Sequence, residues 1–304
     1  MNFGRVMPHA DGGDALIAAN SAAQVGRGVL AVRDAGCAWG GVPRELPGGP
    51  RLQRAGRIIA PPGRGYPNVC VDAAPDQLIR TAMDDVEAGA HWVKFIADFP
   101  AADGNWFAAP VNYPRALMAE LVRTAHASGA RVMAHSTGLA VPDLVAAGVD
   151  AIEHGMVMTA DLVEAMAQQQ IAWTSTLATA YKHVGPLAAQ QSPVGAYIRG
   201  HFDRLRALFP LAVAGGVPVL AGADEIGMGV LPRELDRLVE SGLTRQQALA
   251  AGSTVARTFL RFPAVAAGAR ADLVTYAADP RGDLAVLSQP AAIVYDGSVI
   301  TPAA

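Results

Sequence analysis

Hydrophobic residues along the chain form short apolar runs that alternate with longer stretches of helical period. Seven of these runs are bounded by turn-forming residues and predict β-strands, namely VLAVRDAG (29–36), GRIIAP (56–61), WVKFIAD (92–98), RVMAHS (131–136), DAIEHG (150–155), AWTSTL (172–177) and PVLAGAD (218–224). The segments that begin at Ala74 and Tyr113 have the period of amphipathic helices, and Gly89 and Gly129 stand where these helices should end. The pattern predicts βα units around a parallel sheet.

The strand runs also indicate how the sheet is covered. Runs such as VLAV and PVLAG are apolar on both faces, as expected when helices cover one side and a packed barrel interior fills the other. An open doubly wound sheet would share this local pattern. However, no predicted strand is followed by a Gly-x-Gly-x-x-Gly turn that opens a helix, so a dinucleotide-binding fold has little support.

The pattern changes after Asp224. The segment SGLTRQQALAAGSTVARTFL predicts two helices, and GARADLVTYAADP and PAAIVYDGSVI then predict strands with alternating apolar residues. These strands are too few to form a stable sheet alone. We therefore expect a barrel over residues 1–262 and, over residues 263–304, part of a small β-subdomain whose other strands come from elsewhere in the chain.

Composition narrows the classes of function. The 304 residues are 51% hydrophobic and 17% charged, which is typical of a globular chain with a large core. The net charge is −3 and no basic cluster interleaves with aromatic residues, which argues against nucleic-acid binding and favours a small-molecule substrate. With two cysteines, Cys37 and Cys70, and no apolar run of the ~18 residues that a membrane helix needs, we expect a cytoplasmic protein that could form a homo-oligomer.

Four residues with metal-binding or nucleophilic chemistry lie in or at the ends of four predicted strands: Lys94, His135, His154 and Asp224. In a parallel barrel the carboxyl ends of the strands converge on one mouth, so these side chains could share a site. Imidazoles and carboxylates are natural ligands of zinc and similar divalent ions. A lysine amine that has reacted with carbon dioxide becomes a carbamate, whose oxygens could bridge two ions.

Each of the four residues also has an ordinary explanation. Lys94 could be a strand lysine that extends toward solvent or a Schiff-base nucleophile, and His135 and His154 could be hydrogen-bonded core histidines. Asp224 could cap the helix that follows it. Independent structural causes for all four positions are harder to accept, so the set favours a metal site.

The series VRDAG, VKFIAD, MAHSTG, AIEHG and LAGAD, followed by ARADLVTYAADP and IVYDGSVI, resembles the amidohydrolase superfamily. The similarity is greatest to the branch that contains imidazolonepropionase-like proteins and metal-dependent Xaa-Pro and Xaa-Arg dipeptidases, and it covers nearly the whole chain from about Asp14. It implies a distorted (β/α)₈ TIM barrel with one or two divalent ions, with zinc as the expected metal. It also implies a small β-sandwich built from both chain ends.

The resemblance assigns roles to individual residues. Lys94 matches the carboxylated bridging lysine, His135 and His154 match the ligands on the fifth and sixth strands, and Asp224 matches the aspartate on the eighth strand. Tyr181 and His183 fall where such enzymes often place substrate contacts. The implied reaction is hydrolysis of a C–N bond in an amide, peptide-like or cyclic amide substrate, with metal-activated water as the nucleophile and Asp224 as the group that moves protons.

One element of the family pattern is missing. The His-x-His pair at the end of the first barrel strand has no counterpart, because no two histidines in this sequence are separated by one residue. His9 and Asp11 form a His-x-Asp, but the preceding MNFGRVM is a poor strand, so we do not expect His9 to be a ligand. We expect the chain to begin just downstream of the missing motif, without its first barrel strand and first sandwich strands.

The sequence is also compatible with two other functions. A truncated or catalytically silent barrel would explain the missing His-x-His, and on that basis we expect weak metal binding and little activity. A Schiff-base lyase that uses Lys94 is also conceivable, but it gives His135 and His154 no role. In the loops that would choose the substrate, Arg44, Arg51 and Arg64 could either meet a substrate carboxylate or be solvated.

Overall fold

The computed structural model describes residues 13–36, 48–101, 104–224, 229–263 and 265–302. The predictions made for His9, Asp11, Cys37 and Arg44 lie outside these ranges. Two parallel arrays and one antiparallel sheet are built from the following strands: β1 (Ala31–Arg33), β2 (Arg51–Gln53), β3 (Ala55–Ala60), β4 (Cys70–Asp72), β5 (Trp92–Ile96), β6 (Arg131–Ser136), β7 (Ala151–His154), β8 (Ala172–Thr174), β9 (Val219–Leu220), β10 (Leu273–Thr275), β11 (Ala292–Tyr295) and β12 (Ser298–Ile300).

Helices follow most of the parallel strands, as the alternating pattern predicts. They are α1 (Gly13–Gly26), α2 (Leu78–Glu87), α3 (Arg115–Ala127), α4 (Val141–Ala147), α5 (Ala160–Gln169), α6 (Leu177–Ala188), α7 (Pro193–Ala214), α8 (Leu231–Glu240), α9 (Arg245–Ala251) and α10 (Thr254–Phe259). Gly89 and Gly129 have positive φ values just after α2 and α3, which confirms that these helices end there. Within the described ranges, no helix is both long enough and apolar enough to cross a membrane.

The central sheet has seven parallel strands in the order β4-β3-β5-β6-β7-β8-β9, and β1 pairs in parallel with β2 in a separate two-stranded array. Each of the seven predicted strands overlaps one of the observed strands, so the α/β class and the parallel sheet are confirmed. The sequence pattern did not predict β2 or β4. Among the described residues β4 and β9 lie at the two edges of the sheet, and no pairing between them closes it.

Two layers of side chains fill the inner face of this sheet. Trp92, Met133, Ala151, Ala172 and Leu220 come from five neighbouring strands and pack together as a buried apolar floor. The opposite faces of the same strands pack against the helices in a larger core. Because side chains alternate along a strand, the next inward residues lie two positions further on, directly above the floor. The polar cavity described below is built on this second layer.

The C-terminal strands form a three-stranded antiparallel sheet in the order β10-β11-β12. Asp296 and Gly297, both with positive φ, make the tight turn between β11 and β12. Ile293 is buried against Val25 at the end of α1 and Leu30 beside β1, so the small sheet packs on the first described elements of the chain. The predicted domain boundary between residues 262 and 263 stays a prediction.

Candidate metal centre and active site

A cavity of about 140 Å³ lies at the carboxyl ends of the parallel strands. All four predicted ligands line it: Lys94, His135, His154 and Asp224. The polar part of the lining also contains Arg33, Glu153, Thr174 and Thr176. The structure therefore brings together the residues that the sequence placed on four separate strands.

Lys94 stands in the second inward layer, two residues after Trp92 on β5, and its side chain is buried. Burial lowers the pKa of its amine, and the nearby charge of Glu153 opposes this shift. Within the described ranges no residue forms a hydrogen bond with its Nζ. The fold thus favours the uncharged amine, which is the form that reacts with carbon dioxide or with a carbonyl compound.

His135 and His154 lie side by side, with their ring centroids 4.4 Å apart and their planes at 72°. His135 faces the cavity through normal strand alternation on β6, as Glu153 does on β7. Alternation alone would turn His154 to the other face of the sheet. His154 instead has a left-handed φ of 72°, and it lines the same cavity as Glu153.

A hydrogen bond holds the His154 ring in this position. Its Nδ1 is 2.6 Å from Oγ1 of Thr176, and Trp173 Nε1 donates to the His154 carbonyl oxygen at 2.9 Å. Thr176 also has a positive φ, of 47°, which is unusual for a β-branched residue. Strained backbone of this kind is often found at functional sites, where surrounding contacts stabilise it.

A buried ion pair forms part of the polar wall of the cavity. Arg33 Nη2 donates to Glu153 Oε1 at 2.6 Å and to Thr174 Oγ1 at 3.1 Å, and both partners of the ion pair are almost fully buried. Burial alone would raise the pKa of Glu153, but the charges of Arg33 and Lys94 hold it below its usual range. The ion pair therefore keeps a carboxylate beside the Lys94 amine.

Arg33 and Glu153 were not predicted as site residues. A signal was present, because both are charged residues inside apolar strand runs, and such residues are rarely buried unless they are paired. The pairing itself joins positions 120 residues apart. It joins β1 of the two-stranded array to β7 of the central sheet, so it could not be deduced without the three-dimensional structure.

Two further buried carboxylates anchor the loops that carry the site. Asp98, after β5, accepts hydrogen bonds from Ser136 Oγ and from the backbone N–H groups of Thr137, Gly138 and Ala140. Burial raises the pKa of this carboxyl group, which the hydrogen bonds partly offset. These contacts fix the backbone directly after His135.

Glu234, on α8, anchors the backbone of the loop that contains Thr176. Its carboxylate accepts from Ser175 Oγ at 2.5 Å and from the backbone N–H groups of Leu177 and Ala178 at 2.9 and 2.7 Å. Complete burial raises the pKa of Glu234 to about 7. Because the anchored residues flank Thr176, Glu234 supports the hydrogen bond that orients His154.

Asp224 follows the last central strand, β9, and completes the cavity lining. Gly222 lies between β9 and Asp224, and its backbone passes very close to β8. A Cβ atom at this position would be 2.3 Å from Thr174 Cγ2. Only glycine allows the chain to pass at this distance, and the passage places Asp224 at the cavity.

The structure does not bring Tyr181 and His183 to this cavity. The segment that contains them forms helix α6. The ring of Tyr181 stacks on Phe202 of α7 at 4.1 Å, with the Arg237 guanidinium 4.4 Å from its centroid, and His183 is exposed. Neither residue lines the cavity that the four predicted ligands share.

The arginines considered as carboxylate-binding groups also lie elsewhere in the described part of the chain. Arg51 forms an ion pair with Asp272 at 2.6 Å, next to the C-terminal sheet. Arg64 donates to the carbonyl oxygens of Phe99 and Pro110 and to the side chain of Asn112, which braces two loops. Neither residue lines the cavity.

The cavity is lined by side chains of the types that bind divalent metal ions. Two imidazoles and one carboxylate are typical zinc ligands. Among the described residues, however, no group of three or more His, Cys, Asp or Glu is arranged closely enough to hold an ion without another donor. Lys94, as a carbamate, would supply the missing oxygen ligand, so the fit depends on its modification.

Comparison with known proteins identifies a relative of the chain. The chain is 32% identical over 265 residues to the uncharacterized protein Rv2915c of Mycobacterium tuberculosis, a match that covers 83% of this chain and 70% of that protein. No protein-family model matches the chain.

Solved structures share its fold. A Xaa-Pro dipeptidase with bound methionine superposes with a TM-score of 0.81 at 20% identity, covering 98% of this chain and 84% of the dipeptidase. An amidohydrolase superposes with a TM-score of 0.77 at 21% identity, covering 95% of this chain and 79% of that structure. The chain belongs to the same family as Rv2915c, and it shares the fold of the Xaa-Pro dipeptidase and amidohydrolase structures.

Proposed function

We propose that the chain is a metal-dependent hydrolase that cleaves a C–N bond of a small molecule, in an amide, peptide-like or cyclic amide group. One observation carries the proposal: Lys94, His135, His154 and Asp224 come from four different strands and line one cavity. Fold similarity to Xaa-Pro dipeptidase and amidohydrolase structures supports the same class of reaction.

The metal would be held by these four residues, with Lys94 as a carbamate. We propose zinc, as one ion or as a pair bridged by the carbamate, because imidazole and carboxylate ligands suit this metal. When bound, the ion supplies Lewis acidity, which lowers the pKa of water and polarises a carbonyl group.

The protein's own groups complete the reaction. Asp224 accepts a proton from the attacking water and then delivers it to the leaving nitrogen, so that no strong external base is needed. Thr176 orients the His154 ring through Nδ1. Arg33 balances the charge of Glu153, so the polar wall does not accumulate uncompensated negative charge beside Lys94.

A Schiff-base lyase is the second candidate, and the chemistry of Lys94 favours it. A buried amine with a lowered pKa is also what attack on a carbonyl substrate requires. Borohydride reduction in the presence of a carbonyl compound would trap such an adduct. Mass spectrometry can assign it clearly, because Lys182 is the only other lysine in the sequence.

The test of hydrolysis begins with the purified full chain, loaded with zinc in bicarbonate buffer. Hydrolysis of dipeptides, N-acyl amino acids and cyclic amides is then measured, together with zinc content by mass spectrometry. Asp224→Asn should retain the fold and lower kcat by about 10²–10⁴-fold. Asp161→Asn, an exposed position at the start of α5, is the matched control and should keep full activity.

The alternatives give different results in the same experiment. A chain that retains no zinc and hydrolyses none of these compounds would be a silent barrel, and the proposal would be wrong. Retained activity in Asp224→Asn would also contradict it, because the other carboxylate of the described lining, Glu153, is held in an ion pair with Arg33.

A further inference from the structure

The cavity has an apolar wall that the proposed chemistry does not use. Ile58, Tyr66, Val69 and Ile96 line it on the side of β3 and β5. We propose that this wall is a subsite for an aromatic ring, or an uncharged group of similar size, attached next to the scissile amide. This inference names the substrate class of the same site, so its chemical meaning rests on the proposed hydrolase function.

The ring of Tyr66 links the apolar wall to the metal-binding residues. Its centroid is 5.7 Å from that of His135, in an edge-to-face arrangement. Ile58 and Ile96 are buried and pack with Tyr66 and Val69 in one small cluster. A group that rests on this wall would therefore lie beside His135.

The Tyr66 ring is held in place from behind by two other aromatic residues. Phe99 meets it edge to face at 5.3 Å, and Trp106 stacks on it at 5.9 Å with an interplanar angle of 19°. Phe99 and Trp106 also pack against each other at 5.4 Å. A fixed, half-buried ring suits binding of a second ring, because little side-chain entropy is lost on contact.

The size of the cavity restricts what can bind. Its volume of about 140 Å³ is close to that of an engineered cavity of about 150 Å³ that binds benzene. The scissile amide must share this volume, so the group on the wall can be no larger than about one six-membered ring or a comparable aliphatic group. The rest of a larger substrate must extend out of the cavity.

The charged side chains in the cavity favour binding of an uncharged group on the apolar wall. Among the described lining residues the arginine and lysine side chains are Arg33, which is paired with Glu153, and Lys94, which the proposed function uses as a metal ligand. A carboxylate placed on the apolar wall would lose its hydration without gaining an ionic partner there. An apolar ring gains contact area at no such cost.

The test measures binding rather than turnover, with the purified full chain and three small probes. Benzamide and acetamide are neutral amides that differ in the ring, and 4-carbamoylbenzoate carries the same ring with a carboxylate. By calorimetry or ligand-observed NMR, benzamide should bind about tenfold more tightly than acetamide and more tightly than 4-carbamoylbenzoate. Equal binding of benzamide and acetamide, or stronger binding of the carboxylate, would overturn the inference.

Variants separate the ring of Tyr66 from its hydroxyl and from general effects on folding. Tyr66→Ala should weaken benzamide binding by about tenfold, whereas Tyr66→Phe should retain it. Tyr197→Ala removes an exposed tyrosine on α7 outside the cavity and should leave binding unchanged. Thermal unfolding of each variant identifies any that fail to fold. A loss in Tyr66→Phe equal to that in Tyr66→Ala would contradict a role for the ring.

The outcome is separable from that of the hydrolase proposal. Tight benzamide binding with no hydrolysis of any amide by the zinc-loaded protein would support the apolar subsite and contradict the proposed reaction. Amide hydrolysis with no preference for the ring would support the reaction and overturn the subsite.

Discussion

His154 and Thr176 are joined by a hydrogen bond of 2.6 Å, and both have left-handed backbone conformations. Conformations of this kind cost on the order of 1–3 kcal/mol per residue outside glycine. The two strained residues are thus stabilised through each other and through Glu234, which anchors the loop around Thr176. The orientation of one proposed metal ligand depends on an α-helix that follows it by about 80 residues in sequence.

This relationship predicts the effect of Thr176→Val, which removes the hydroxyl and keeps the branched shape. The His154 ring should lose its orientation, and zinc affinity should fall by about 10–100-fold, as is typical when a partner of a metal-bound histidine is removed. Competition with a chromophoric chelator measures the affinity. Thr124→Val, which removes an exposed hydroxyl on α3, is the control. Equal affinities for all three proteins would show that Thr176 does not position His154.

Glu234 should make stability dependent on pH near neutrality. Its pKa is about 7 in the folded state, above the ordinary value of 4.5, so the folded state binds more protons between these values. Its favourable contribution is complete below about pH 4.5 and is lost as pH rises toward and through 7. The free energy of unfolding should fall by about 3 kcal/mol over this range.

Denaturant unfolding at several pH values tests this dependence. Glu234→Gln cannot ionise, and it should remove most of the decrease between pH 5 and 8. Glu120→Gln, at an exposed position on α3, should retain the decrease of the unaltered protein. A Glu234→Gln variant with an unchanged pH profile would assign the effect to other groups.

Lys94→Met should remove metal binding without lowering the stability of the protein. Methionine has a similar length and no amine to desolvate, so the free energy of unfolding should stay the same or rise by about 1 kcal/mol. Zinc content should fall sharply, because the carbamate ligand can no longer form. The exposed Lys182→Met is the matched control for both measurements. Full zinc content in Lys94→Met would exclude Lys94 as a ligand.

Gly222→Ala should destabilise the edge of the sheet that carries Asp224. The new Cβ would lie 2.3 Å from Thr174 Cγ2, so backbone or side chain must move, at a cost of about 1–3 kcal/mol. Gly200→Ala on α7 meets no atom within 4 Å and should stabilise the helix by about 1 kcal/mol. Thermal unfolding of the two variants should therefore shift in opposite directions. A stable Gly222→Ala protein would show that the close approach is not needed.

The parts of this site that follow local rules could be predicted from the sequence. Lys94 and His135 face the cavity because they stand two residues beyond the floor residues of their strands, and apolar runs located those strands correctly. The Arg33 to Glu153 ion pair depends on how the two-stranded array of β1 and β2 lies against the central sheet, which a single sequence does not specify. Tyr181 lies in helix α6 and stacks on Phe202 of α7, a tertiary contact that the local sequence does not reveal.

The left-handed backbone at His154 matters for anyone who would transplant this site into another scaffold. A designer who assigns inward positions on ideal strands would place residue 153 inside and residue 154 outside, and would lose one imidazole. Grafting the four ligand side chains alone would therefore not reproduce the site. The transferable unit is the ligands together with the backbone reversal at His154 and Gly155, the hydroxyl of Thr176 and the buried carboxylate of Glu234.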